Sequence, residues 1–125
     1  MKIAMTSISV NDPVAAFMFY TRTLGFAEKR FLPAENIAIV VAAEDLGGTT
    51  LRFELRGPHY SDLYFDGLYN KGIPVIVIST NDIHAEYERL KDKGVVFRQP
   101  PTKTAYGTTA IFDDTCGNYV QIYQP

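Results

Sequence analysis

The five residues Ile8–Asp12 read Ile-Ser-Val-Asn-Asp, and the five residues Ile78–Asp82 read Ile-Ser-Thr-Asn-Asp. The second stretch begins 70 residues after the first in a chain of 125 residues. Each stretch is followed by a run with the apolar spacing of a helix, and these runs end at Gly25 and Gly94. A similarity that spans half a chain indicates an internal duplication, so the sequence predicts two structural modules of the same kind.

Each repeated stretch joins a predicted strand to a predicted helix. Residues 2–10 alternate between two faces, which is typical of a strand. Asp12 then offers a capping carboxylate, and Pro13 occupies the first helical position. Asp82 takes the place of Asp12 in the second module, so we predict a helix start there too.

Three further strands follow the helix in each module, so that each module has the order β-α-β-β-β. We predict the strands of the first module at 2–10, 26–32, 36–43 and 49–56, and those of the second at 73–80, 95–99, 106–113 and 118–124. A single α+β domain over residues 1–125 is therefore expected, with module 1 at about 1–58 and module 2 at about 73–125. A connecting helix at about 59–72 would have Ser61 as its N-cap and end at Gly72.

The composition limits the partners and the location of the chain. Its net charge of −2 and a pI near 5.6 predict no binding to nucleic acid or to an anionic membrane surface. No window approaches the roughly 18 apolar residues of a membrane span, and residues 1–6 do not resemble a signal peptide. Cys116 is the only cysteine, so no intrachain disulfide can form, and we expect a cytoplasmic protein.

Several short motifs in both halves resemble those of the vicinal oxygen chelate superfamily, which includes glyoxalase I, bleomycin-resistance proteins and extradiol dioxygenases. These motifs are Val10–Pro13, Phe19-Tyr20 and Leu24–Phe26 in the first half, and Asn81-Asp82, Tyr87–Leu90, Lys93–Val95 and Phe112–Asn118 in the second. The resemblance implies two curled mixed sheets around a shared cleft, with helices outside, and a homodimer. It leaves open whether the modules pair within one chain or swap between two.

The resemblance also implies where a metal would bind. In metal-dependent members, four ligands come from the first and last strand of each module, and the matching positions here are Met5, Glu54, Val75 and Gln121. Of these side chains only Glu54 is a good ligand for a hard divalent ion, whereas about three nitrogen or oxygen ligands are needed. We therefore expect no metal cofactor. His59 and His84 lie outside the predicted ligand positions.

Two interpretations are open for Glu54. The strand alternates so that Thr50, Arg52, Glu54 and Arg56 share one face. Glu54 could act as a base or hydrogen-bond acceptor in a pocket, with Arg52 holding an anionic group of the ligand. Alternatively, Glu54 forms an ion-pair ladder between the two arginines on a half-exposed sheet face.

The last strand offers a second candidate surface, because Tyr119, Gln121 and Tyr123 share one face. Aromatic rings with polar tips beside an amide suit a small organic ligand, and they equally suit a dimer interface or ordinary packing.

The sequence therefore predicts a metal-free protein that binds a small organic molecule and resembles bleomycin-resistance proteins. The predicted ligand-binding residues are Met5, Arg52, Glu54, Val75, Tyr119 and Gln121. The alternative is a glyoxalase-like or extradiol-dioxygenase-like enzyme, a lyase or oxidoreductase with one divalent metal in an atypical or relocated site. In an enzyme, Glu54 would be the candidate catalytic residue.

Overall fold

A computed structural model describes residues 1–57 and 60–125 of the protein, and of residues 60 and 61 it describes only the backbone. The chain divides into two compact units, Met1–Asp62 and Leu63–Pro125. The strands are β1 (Met5–Val10), β2 (Ala27–Leu32), β3 (Ile37–Val41), β4 (Thr50–Leu55), β5 (Ile76–Ser79), β6 (Phe97–Thr104), β7 (Gly107–Asp113) and β8 (Tyr119–Gln124). The helices are α1 (Pro13–Met18), α2 (Tyr60–Asn70) and α3 (Ile83–Asp92).

Each unit contains one four-stranded mixed sheet with the same topology. The strand order is β1-β4-β3-β2 in the first unit and β5-β8-β7-β6 in the second. In both sheets the first strand pairs in parallel with the last, and the remaining pairs are antiparallel. The predicted α+β fold and its two modules of equal strand order are confirmed. The predicted shared cleft stays a prediction.

In the first unit, α1 packs on one face of the sheet. The side chain of Asp12 accepts hydrogen bonds from the N–H groups of Val14 and Ala15, as the predicted cap requires. After Met18 the helix continues as a π-helical turn, Phe19–Thr23, which places Tyr20 against Phe53 with ring centroids 4.7 Å apart. Both rings are fully buried, so this contact forms the centre of the core.

In the second unit, α3 packs on the equivalent face. Asp82 caps it through the N–H of Ala85, and Gln124 accepts a further hydrogen bond from the N–H of Ile83. Phe112 is fully buried, and Leu90 and Val120 are buried beside it in the core of this unit.

The connecting helix α2 agrees closely with the predicted range. It ends at Asn70, and Gly72 follows with a φ of +70°, a left-handed conformation that favours glycine. The predicted capping side chain of Ser61 and the predicted position of His59 lie outside the described residues. In the part of the chain that the structure describes, no helix is long and apolar enough to cross a membrane.

Candidate functional site

The face of the first sheet that lies away from α1, here called the far face of the first sheet, carries three of the predicted site residues. Parallel pairing of β1 with β4 sets Ser7 opposite Arg52 and Ser9 opposite Glu54, and Met5 has the same parity. The alternate residues Ile8 and Phe53 are buried on the α1 side. Met5, Arg52 and Glu54 therefore share one face, as the alternation of the sequence predicts.

Arg52 and Glu54 form an ion pair on this face. The Nε atom of Arg52 lies 3.9 Å from Oε1 of Glu54, with 35% of the Arg52 side chain and 58% of the Glu54 side chain exposed. Nη2 of Arg52 donates a long hydrogen bond, 3.4 Å, to the carbonyl oxygen of Asn36. Nε itself is shielded from water and has no hydrogen-bond partner among the described residues. A distance of 3.9 Å is too long for a hydrogen bond, so the contact with Glu54 is purely electrostatic.

Arg56, the second arginine of the predicted ladder, donates hydrogen bonds to Ser9. Its Nε lies 3.1 Å from Oγ of Ser9, and its Nη2 lies 2.7 Å from the Ser9 carbonyl oxygen. These two hydrogen bonds hold Arg56 in place as a structural side chain that ties the end of β4 to β1. Of the two arginines, Arg52 is therefore the one whose guanidinium has donors to offer a ligand.

The corresponding face of the second sheet, away from α3 and here called the far face of the second sheet, carries the other three predicted site residues. Val77 lies opposite Gln121 in the parallel pairing of β5 with β8. Val75 precedes β5, and its N–H donates to the carbonyl oxygen of Tyr119 at 2.9 Å. Val75, Tyr119 and Gln121 are all half-buried.

Tyr119 belongs to a cluster on this face. The ring of Tyr69, on α2, stacks on the ring of Tyr119 with centroids 4.7 Å apart and an interplanar angle of 13°. The guanidinium of Arg98 lies over the same Tyr119 ring, 5.4 Å from its centroid. The hydroxyl of Tyr69 donates to Oδ2 of Asp113 at 2.6 Å. Because stacking partners already contact the Tyr119 ring, a planar ligand that stacks there has to compete with Tyr69 and Arg98.

The hydrogen bond to Asp113 changes the acidity of Tyr69. That bond, together with burial and the negative charge of Asp113, raises the pKa of Tyr69 well above its usual range. The other carboxylate oxygen of Asp113 accepts the N–H of Thr115 at 2.7 Å, which fixes the carboxylate in place. Tyr69 is therefore a neutral hydrogen-bond donor at neutral pH.

Three residues of this cluster, Tyr69, Arg98 and Asp113, are absent from the sequence-based site. Asp113 could have been found, because it lies opposite Tyr119 across the β7–β8 hairpin and shares its face. Tyr69 and Arg98 had no comparable signal, since they come from α2 and from an edge strand with an irregular register.

The six predicted ligand-binding residues fall into two groups of three, one on the far face of each sheet. Met5, Arg52 and Glu54 lie in the first unit, and Val75, Tyr119 and Gln121 lie in the second. That all six line one cavity stays a prediction.

The donor set does not fit a hard divalent metal. Among residues 1–57 and 60–125, no three His, Cys, Asp or Glu side chains lie together in a way that could hold a metal ion. Glu54 is the one carboxylate at the four family positions, and it already neighbours the Arg52 guanidinium. Like charges repel, so the Arg52 guanidinium opposes a dication at Glu54.

His84 does not alter this conclusion, because it is an exposed residue in the first turn of α3, the helix on the opposite side of the second sheet.

Similar proteins agree with this fold. Among solved structures, UcmS2 superposes with a TM-score of 0.81 at 30% identity, covering 98% of this chain and 97% of that chain. TnmS3, an antibiotic binding protein from Streptomyces sp. CB03234, superposes with a TM-score of 0.78 at 25% identity, covering 100% and 96%. The sequence is 41% identical to the uncharacterized protein YurT of Bacillus subtilis (strain 168), over 99% of both chains.

Residues 2–122 match the family described as the Glyoxalase/Bleomycin resistance protein/Dioxygenase superfamily. This match covers nearly the whole chain and confirms the resemblance seen in the repeated motifs. The chain therefore belongs to the Glyoxalase/Bleomycin resistance protein/Dioxygenase superfamily.

Proposed function

We propose that this protein binds a small organic molecule without a metal, in the manner of an antibiotic-binding member of its superfamily. The observation that carries the proposal is the Arg52–Glu54 pair, at the position where metal-dependent relatives need a carboxylate free to coordinate. The pairing replaces a metal ligand with a polar recognition group. The similarity to TnmS3, whose name describes antibiotic binding, supports the same class of function.

The composition of the two far faces supports small-molecule binding. Ligand sites combine apolar and aromatic surface with a few polar groups that fix the orientation of the ligand. The first far face offers Met5 beside an arginine and a carboxylate, and the second offers Val77 beside the amide of Gln121. Metal-dependent catalysis receives no comparable support from the donor set.

A homodimer is part of this proposal. The edge strands β1 and β5 contain neither a charged residue nor a proline, whereas the opposite edges carry Glu28, Lys29 and Arg30 on β2 and two prolines on β6. Charges and prolines protect sheet edges against pairing, so β1 and β5 are the edges suited to a partner. A cytoplasmic location, inferred from the lone Cys116, belongs to the same proposal.

A thermal-shift screen of aromatic and amphipathic antibiotics, with bleomycin among them, tests the proposal. A ligand at about 100 times its Kd stabilises the folded state by about 2.7 kcal/mol, which raises Tm by several degrees. We expect at least one compound to raise Tm in a concentration-dependent manner in metal-free buffer. Glu54→Ala should weaken this effect, and Glu88→Ala is the matched control, since it removes an exposed carboxylate from α3.

Two outcomes would contradict the proposal. One is a screen in which no compound stabilises the wild-type protein. The other is stabilisation that requires added divalent metal, which would favour the enzyme alternative.

A further inference from the structure

The guanidinium of Arg52 makes few hydrogen bonds for a side chain that is only 35% exposed. A guanidinium carries five N–H donors. Arg52 uses one of them in a 3.4 Å hydrogen bond to Asn36, and its Nε has no partner among the described residues. Arg89, by comparison, donates twice to Glu86 at 2.7 Å and 3.0 Å with a similar side-chain exposure of 37%.

The position of Arg52 is fixed by the fold. It lies on β4, an interior strand, opposite Ser7 of β1 on one side and Ile39 of β3 on the other. Asn36 has a left-handed φ of 57° and presents its carbonyl oxygen to the guanidinium. Recognition groups on paired strands are held more precisely than groups on loops, so Arg52 is preorganised to receive a ligand.

We propose that Arg52 is an anion-recognition residue, and that the ligand is a monoanionic organic acid whose carboxylate binds the Arg52 guanidinium beside Glu54. This inference rests on the proposed small-molecule binding and specifies the chemical class of the ligand. A planar guanidinium matches a carboxylate in a two-pronged geometry that a lysine cannot reproduce.

Glu54 favours a ligand with a single negative charge over one with two. Its carboxylate lies 3.9 Å from Nε of Arg52, so any anion bound to Arg52 also feels this negative charge. The repulsion disfavours a dianion such as a phosphate ester more than it disfavours a carboxylate. Glu54 is 58% exposed and can accept a hydrogen bond from a hydroxyl or amide of the ligand close to its carboxylate.

An NMR titration with salicylate tests the inference, because salicylate combines a carboxylate with a neighbouring hydroxyl. Salicylamide is the neutral analogue, and phenyl phosphate is the dianionic one. We would titrate each compound into the ¹⁵N-labelled protein, and follow the Nε–H signal of Arg52 along with the backbone amides. The variants are Arg52→Gln and Arg52→Lys, with Arg89→Gln as the control that removes an arginine of similar exposure from α3.

We expect salicylate to bind the wild type with a Kd in the millimolar range and to shift the Arg52 Nε–H signal. Arg52→Gln should weaken binding by about tenfold or more, because it removes the positive charge and the paired N–H donors. Arg52→Lys should weaken binding less, because lysine keeps the charge and loses only the two-pronged geometry. Arg89→Gln should bind as the wild type does, and salicylamide and phenyl phosphate should bind more weakly than salicylate. Thermal unfolding of each variant verifies that it is folded.

Three results would overturn the inference: no saturable binding of salicylate by the wild type up to about 20 mM, equal binding by Arg52→Gln, or equal binding of salicylamide. Tighter binding of phenyl phosphate would overturn the selection of a monoanion. The outcome is separable from that of the proposed function. An antibiotic that stabilises the wild type and Arg52→Gln equally would support small-molecule binding and overturn the role of Arg52.

Discussion

Glu54 is the one carboxylate among the four predicted metal-ligand positions, and its surroundings are those of an ion-pair acceptor. Arg52 lies two residues away on the same face of β4, and its positive charge attracts the Glu54 carboxylate and opposes a bound dication. Met5, Val75 and Gln121 complete the four positions with a thioether, an alkyl group and an amide. These four side chains are a poor ligand set for a metal ion, and Glu54 forms a polar pair with Arg52 on the sheet face.

At the residue scale, we predict that the purified protein contains no stoichiometric transition metal. The physical reason is that one carboxylate beside an arginine cannot replace the three or more nitrogen or oxygen ligands such an ion requires. Elemental analysis by mass spectrometry measures this directly, on protein purified without a chelator and without a metal-affinity column. About one zinc, nickel, manganese or iron per chain, lost in Glu54→Gln, would show that the mapping of the ligand positions is wrong.

Tyr69 gives a second prediction at this scale, which concerns pH. Its pKa is raised in the folded protein, chiefly by the hydrogen bond to Asp113, so the folded state keeps the phenolic proton longer than the unfolded state does. The stabilisation is therefore fully present below the unfolded pKa of about 10 and is lost as the pH rises above that value. Tyr69→Phe keeps the ring that stacks on Tyr119 and removes only the hydroxyl.

Urea unfolding of the wild type and Tyr69→Phe at pH 8 and pH 10.5 measures this effect. We expect the wild type to be more stable by about 1–2 kcal/mol at pH 8, and we expect the difference to shrink at pH 10.5. A difference that stays constant or grows with pH would mean that the Tyr69–Asp113 hydrogen bond is not what stabilises the cluster.

At the element scale, the turn between β7 and β8 shows how one buried side chain organises a backbone. Asp114 is fully buried, and its Oδ1 accepts the N–H groups of Cys116 at 2.8 Å and Asn118 at 3.0 Å. Thr115 and Gly117 both have positive φ values in this turn. The carboxylate therefore satisfies buried donors that the unusual backbone conformation leaves without a strand partner.

We predict that Asp114→Ala destabilises the protein by about 2–4 kcal/mol, because two buried N–H groups lose their acceptor. Asp45→Ala is the matched control, since Asp45 is an exposed aspartate in the β3–β4 turn of the first unit, and we expect it to cost less than about 0.5 kcal/mol. Urea denaturation followed by circular dichroism gives both values. Equal effects of the two substitutions would contradict the structural role of Asp114.

The elements differ in how well their sequence predicts them. Helix starts were predictable because Asp12 and Asp82 act locally, and the structure confirms both caps. The π-helical turn Phe19–Thr23 had no local signal, since it depends on packing Tyr20 against Phe53. The predicted strand at 95–99 is too short, because β6 extends to Thr104 and contains Pro100 and Pro101. The strand continues to Thr104 because it is an edge strand, where a missing N–H is tolerated.

The candidate site was predictable only in part, for a related reason. Alternation along β4 and β8 placed Arg52 with Glu54 and Tyr119 with Gln121, because the period of a strand is two. The partners Tyr69 and Arg98 of Tyr119 depend on the path of α2 and on the irregular register of β6. Side chains that meet through tertiary packing leave no periodic pattern in the sequence.

At the scale of the whole molecule, the duplication yields two sheets, and in each sheet one edge strand carries charged residues or prolines and the other carries neither. The outer strands β2 and β6 carry charges or prolines that discourage pairing with another strand. The strands β1 and β5 are neutral, and each leaves apolar side chains exposed, such as Met5 at 45% and Val77 at 59%. The proposed homodimer would cover exposed apolar side chains on these edges.

We predict that the protein is a homodimer and that Val77→Lys converts it to a monomer. A lysine on β5 adds a charge that has to be desolvated when the edge is covered, while the exposed position tolerates it in the isolated chain. Size-exclusion chromatography with light scattering should give twice 14.0 kDa for the wild type and 14.0 kDa for the variant. Val96→Lys is the matched control, since Val96 is a valine with 70% exposure outside β1 and β5, and it should remain dimeric. A wild type of 14.0 kDa at every concentration, or a Val77→Lys variant as dimeric as the control, would show that these edges are not the interface.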